Sequence, residues 1–453
     1  MTRRDRHAAD DPYAPQVGDP RFGVRHYDLA LDYRVSSNRL EGRATLTCRA
    51  VERTRALSLD LSGLRASRVR VAGDKKASFR QRENRLEIGL TRALAEGDDV
   101  EVTIDYAGSP RPRRSAWGAV GWEELEDGAL VASQPVGAAT WYPCNDRPAD
   151  KATYRISLTT EAAYDVVAGE RGSVAARGGR RTWEFAHTQP TASYLVAVHI
   201  GRYTRREVDL AGVAGEIHHP PLLAKRVSAD FASLPRMMAA FEDAFGAYPF
   251  PAYTVVVTHD DLEMPLEAQG AAVFGANHID GEGTLERLIA HELAHQWFGN
   301  SVGLASWRDI WLNEGPACYA EWLWSERAGG HSAHAIALAH HARLREKPQD
   351  LRIGDPGPDR MFDDRLYKRG ALTLHALRLE VGDETFFRIL RAWTSRHGGG
   401  TATSDDLVRL CEEVSGASLG PLFEAWLRRE ELPDLPNADG VAPAPLSEVA
   451  LGE

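Results

Sequence analysis

Hydrophobic and polar positions change texture along the chain. From about residue 24 to 200 they alternate, as in His26-Tyr27-Asp28-Leu29-Ala30-Leu31 and Val100-Glu101-Val102-Thr103-Ile104-Asp105. An alternation of period two broken by Gly, Asp, Asn and Pro predicts half-buried strands of an all-β domain. Near residue 204 the texture shifts. Residues 226–246 predict an amphipathic helix, 253–258 a strand, and 285 to Leu427 an almost unbroken succession of helices. Before residue 22 the chain is polar and carries Pro12, Pro15 and Pro20; after 431 it is rich in Pro, Ala and Gly. The expected organisation is a disordered tail at 1–21, an all-β domain at 22–203, an α+β domain at 204–431 and a flexible tail at 432–453.

At 453 residues the chain exceeds one ordinary core, and 43% hydrophobic with 26% charged residues suits a globular protein. The net charge of −11 speaks against a nucleic-acid footprint. No apolar segment follows the first residues as in a secretory signal, and no run is long enough to span a membrane. Cys48, Cys144, Cys318 and Cys411 lie far apart, which fits free thiols in a reducing compartment, so a cytoplasmic location is expected.

The strongest chemical signal lies in the helical part. His291-Glu292-Leu293-Ala294-His295 sits within a helical pattern, with Thr284 available as its cap and Gly299 as its stop. Histidines at i and i+4 share one helix face and can reach one ion. Zinc in a catalytic site takes three protein ligands and keeps a position open for water. Glu314, separated from His295 by eighteen residues and on a following helix of about 314–328, is the candidate third ligand. Glu292 sits between the ligands in sequence and is the candidate general base. Tyr367 is a candidate donor to a developing oxyanion, although spacing alone also fits a packing role. Glu321, two turns beyond Glu314, and Asp309 compete to orient a ligand histidine.

Together these segments resemble the gluzincin zinc aminopeptidases of the aminopeptidase N type. The resemblance rests on His291–His295 and on Trp307-Arg308-Asp309-Ile310-Trp311-Leu312-Asn313-Glu314-Gly315. It rests also on Tyr367-Lys368-Arg369-Gly370-Ala371, where Arg369 replaces a Lys, and on Tyr142-Pro143-Cys144-Asn145-Asp146-Arg147-Pro148. It implies an N-terminal β saddle or sandwich and a thermolysin-like, mostly helical catalytic domain. It implies one zinc ion, Tyr367 as transition-state stabiliser, and Gln134 and Glu267 as binders of a peptide's amino end.

The chain departs from the family in two ways. The family's Gly-Ala-Met-Glu-Asn segment appears as Met264-Pro265-Leu266-Glu267-Ala268, which keeps the Glu and loses the Asn. The chain is also shorter than the larger members, which predicts an open cleft. An aminopeptidase acting on peptides is the leading expectation. A zinc endopeptidase or related hydrolase, and an inactive binding module on the same fold, are the alternatives.

Overall fold

The computed structural model describes residues 11–436. The alternating segments form strands whose apolar positions turn inward. In Phe22–Arg34 the buried side chains include Tyr27, Leu29, Leu31 and Tyr33, and polar residues face out. This strand pairs antiparallel with Arg39–Ala50 and parallel with Ala152–Glu161. It lies at the centre of a seven-stranded sheet. A five-stranded and a three-stranded sheet complete the β part. One core, from Phe22 to Ile200, fills it.

A second five-stranded sheet begins at Thr204–Leu210 and continues through Val213–His219 and Ala252–Val257 to Ala271–Phe274, with Leu266–Ala268 at its edge. Helices α1 (Ala224–Asp230) and α2 (Leu234–Phe245) lie between its strands Val213–His219 and Ala252–Val257, and α3 (Glu286–Ala294), α4 (Trp311–Arg327), α5 (Ala333–Arg345), α6 (Asp364–Val381), α7 (Asp383–His397) and α8 (Ser404–Ser415) follow it. Their core also takes in Val120, Val136, Tyr194 and Leu195 from the β part. The two parts therefore share packed side chains. Among the described residues no helix is long and apolar enough to cross a membrane. All four cysteines are unpaired and buried.

Four local expectations change. The helix expected over 226–246 is broken into α1 and α2 around Ala232 and Ser233. Helix α3 starts at Glu286 without a side-chain cap, because the Thr284 hydroxyl turns back to Asp280. Residues 11–21, expected to be disordered, are held in place. Asp11 accepts from the Trp307 amide at 2.8 Å, and the Tyr13 hydroxyl donates to Asp355 at 2.6 Å. Tyr13 itself is buried in the helical core. Specific partners for two carboxylates and one aromatic ring outweigh a composition that favours disorder. Residues 1–10 and 437–453 lie outside the described residues. At the other end Leu432 and Leu435 are buried, so the segment expected to be flexible begins inside the fold.

Arg369 accounts for that ordered end. It is buried on α6, and its guanidinium donates to six backbone carbonyls: Leu351, Ala425, Trp426, Arg429, Glu430 and Glu431. Five planar N–H groups can serve so many acceptors through shared bonds, where an ammonium has only three.

Candidate metal centre

Helix α3 carries His291 and His295 on one face. Its other residues anchor it: Ile289, Ala290, Leu293 and Ala294 are buried in the helical core. The Gln296 side chain donates to the Ala268 and Ala271 carbonyls and accepts from the Gly270 amide. That amide group fastens the end of α3 to the edge strand bearing Glu267.

Helix α4 brings Glu314 in its first turn, and α6 brings Tyr367. These two helices meet backbone to backbone. A Cβ on Gly315 would stand 3.0 Å from the Gly370 Cα, and one on Gly370 would stand 2.8 Å from the Gly315 Cα. Any side chain there would force apart the helices that carry Glu314 and Tyr367.

The ligand atoms converge. His291 Nε2 and His295 Nε2 lie 3.6 and 3.4 Å from the same Glu314 oxygen. Tetrahedral ligands each about 2 Å from zinc are separated by about 3.3 Å, so the three donors fit one zinc ion. Each histidine is braced through its other nitrogen. His291 Nδ1 is 2.8 Å from Glu321 Oε1, and His295 Nδ1 donates to the Phe298 carbonyl at 3.1 Å. A carbonyl only accepts, so the hydrogen sits on His295 Nδ1 and leaves Nε2 for the ion.

Electrostatics agree with the donor set. Burial alone would lower the two imidazole pKa values. Glu314 and Glu321 around His291, and Glu267 and Glu314 around His295, reverse this and lift them to about 9 and about 10. Burial would raise Glu314, yet the imidazoles hold it down at about 2. So much negative charge in a buried space attracts a cation.

Glu292 is buried, and its Oε2 has no hydrogen-bond partner. Burial chiefly, with Glu267 and Glu314 adding to it, raises this carboxyl to about 7 against the pull of the imidazoles. Glu267, Glu292 and His295 form a second convergent group, with one atom of each within 4.8 Å of the others. The Gln134 side chain, from the β part, donates to Glu267 Oε1 at 2.8 Å. The Tyr367 ring lies 6.2 Å from the His291 ring, and burial followed by Glu314, Glu267 and Glu292 pushes its hydroxyl pKa well up.

Of the two residues expected to brace a histidine, the structure joins Glu321 to His291 and takes Asp309 elsewhere. Asp309 accepts from the Ser404 hydroxyl at 2.5 Å and the Ser404 amide at 3.2 Å, at the start of α8. It touches neither histidine, because its carboxylate is taken up by a contact 95 positions away in sequence.

Sequence reasoning missed Lys151. Its ammonium crosses from the β part to the turn after α3 and donates to the Asn300 and Ser301 carbonyls, each at 2.8 Å. The only sequence signal was its place beside the Cys144–Pro148 segment.

The family models for the Peptidase M1 N-terminal domain and the Peptidase family M1 domain match residues 24–195 and 230–426. A mutant of an M1 zinc metallopeptidase from Deinococcus radiodurans, solved with the substrate Tyr-Ser-Ala bound, is 31% identical. It superposes with a TM-score of 0.86, covering 93% of this chain and 98% of that one. A two-domain M1 zinc metallopeptidase solved with L-arginine is 30% identical, with a TM-score of 0.85, covering 95% and 98% of the two chains. Tricorn protease-interacting factor F2 of Thermoplasma volcanium is 27% identical over 70% of this chain and 43% of its own length. The chain spans about half the length of the curated relatives it matches. Fold, paired domains and ligand geometry together define the gluzincin class. The chain belongs to peptidase family M1.

Proposed function

We propose that this protein is a zinc-dependent aminopeptidase that removes N-terminal residues from peptides. The observation that carries the reading is the Gln134–Glu267 pair beside the metal centre. A carboxylate there binds the ammonium of a free peptide terminus and places the first peptide bond over the metal ligands. The ligand-bound relatives support it.

His291, His295 and Glu314 would hold a zinc ion, which when bound would supply a Lewis acid and lower the pKa of a water to about 7. Glu292, with its unbonded oxygen, takes a proton from the attacking water and passes it to the departing amine. The Tyr367 hydroxyl, kept protonated by its buried, acidic surroundings, donates to the developing oxyanion. Glu321 holds the His291 ring. We assign residues 22–203 as the β domain that contributes Gln134, and 204–431 as the catalytic domain. The unpaired cysteines support a cytoplasmic location.

One short peptide with a free amino terminus and its N-acetylated twin, each assayed with and without chelator, test the reading. Only the free peptide should be cleaved, with activity lost on chelation and restored by zinc. Equal cleavage of both would replace the aminopeptidase reading with an endopeptidase one.

A further inference from the structure

Helix α3 presents a third side chain on the face of its two histidines. Arg287 lies one turn before His291, as His291 lies one turn before His295. Its one hydrogen bond among the described residues is a long one, from Nη1 to Glu321 Oε2 at 3.5 Å. The side chain is 25% exposed, and a cavity of about 400 Å³ opens beside it, walled by Trp322, Trp324 and His340. The two carboxylates on this cavity are engaged. Glu286 accepts from the Ser233 hydroxyl, and Glu321 is joined to His291 and faces the Lys368 ammonium. The guanidinium, with five N–H groups and one long bond, has donors to spare on this cavity.

Its position along the helix gives it a direction. Glu267, the amine anchor of the proposed function, adjoins His295 at one end of the ligand row. Arg287 stands beyond His291 at the other end. A peptide with its ammonium at Glu267 and its first carbonyl over the ligands runs on toward Arg287. Four residues of helix advance about 6 Å along the axis. Two residues beyond the scissile bond extend about 7 Å. We propose that Arg287 anchors the C-terminal carboxylate of short peptides, tripeptides above all, and makes this cavity the leaving-group side of the cleft. The inference rests on the aminopeptidase reading for the placement of the amino end.

Trialanine and trialanine amide distinguish the anchor from a bystander. The zinc-loaded protein should cleave the acid with kcat/KM about tenfold above the amide, mainly through KM, as one charge-assisted hydrogen bond allows. Arg287→Ala should bring the two substrates level, and Arg287→Lys should restore part of the preference. Equal wild-type values overturn the proposal, as does a preference that survives Arg287→Ala. An effect of Arg287 through Glu321 on the metal would slow both substrates alike, leave their ratio unmoved and also count against it. The same pair titrated calorimetrically onto zinc-loaded Glu292→Gln reads affinity without turnover. Tighter binding of the acid, together with a zinc-loaded wild-type protein that cleaves neither peptide, would uphold the anchor and count against the peptidase reading. Equal binding would overturn the anchor whatever the turnover.

Discussion

Two groups of buried acidic side chains in this molecule differ in their partners. In the β part Asp19, Asp60 and Asp150 are ringed by donors. Asp60 accepts from the Gly18 and Asp146 amides and from Arg85, Asp150 from the Val24 amide and Asn145, and Asp19 from the Ser58 amide and Arg21. At the metal centre no such ring exists. Glu314 faces two imidazoles at 3.4 and 3.6 Å, and one oxygen of Glu292 has no partner. A buried carboxylate ringed by backbone amides is part of the scaffold. A buried carboxylate left facing other charges marks a candidate site for an ion or a reaction. Burial alone does not separate the two kinds, because both regions are almost fully enclosed.

The largest effect expected from this contrast falls on Glu292. Glu292→Gln keeps the shape and removes the base, so kcat should fall by about 10²–10⁴ while zinc content stays at one per chain. Metal analysis beside a peptide assay measures both. Turnover near the original rate would mean that the unbonded carboxylate is idle, and the contrast would lose its functional half.

How much of this was legible beforehand follows from the range of each contact. His291, Glu292 and His295 share one helical turn, so their spacing declares them. Glu321 was readable as one of two candidates because it lies two turns from Glu314 on α4. The Gln134–Glu267 pair joins residues 133 apart, and Lys151 reaches carbonyls 149 and 150 positions away. No periodicity encodes such meetings, and only the family resemblance pointed to the first. Asp309 was the competing candidate and lost its place to a partner on α8. Tyr13 shows the same limit for the fold, since its hydroxyl partner lies 342 residues away. Strand and helix types followed the hydrophobic period, whereas the break between α1 and α2 depends on tertiary packing.

Glu321 lies between the two classes, since it touches both a ligand and cations. Glu321→Gln should weaken zinc binding by about 10–100-fold, the usual cost of losing a carboxylate behind a ligating histidine. Competition with a chelator of known affinity reads the change directly. Asp309→Asn is the control and should leave zinc affinity where it was. Equal losses in the two variants would show that general disturbance of α4, rather than the His291 brace, sets the affinity.

The smallest effect should come from the scaffold side. Asp150 is buried and accepts from the Val24 amide and the Asn145 side chain. Asp150→Asn exchanges one accepting oxygen for a donor that meets the Asn145 amide nitrogen, which should cost about 1–3 kcal/mol of stability. Zinc affinity and kcat should not move. Burial lifts the Asp150 carboxyl to about 6, above its ordinary range near 4. Between about pH 4 and 6 the folded state therefore keeps a proton that the unfolded state releases, and stability falls as the pH rises through that window. The Asn variant cannot titrate, so its denaturation midpoint should change less over the same range. A variant that lost zinc or turnover in proportion to its stability would erase the distinction between the two groups of acids.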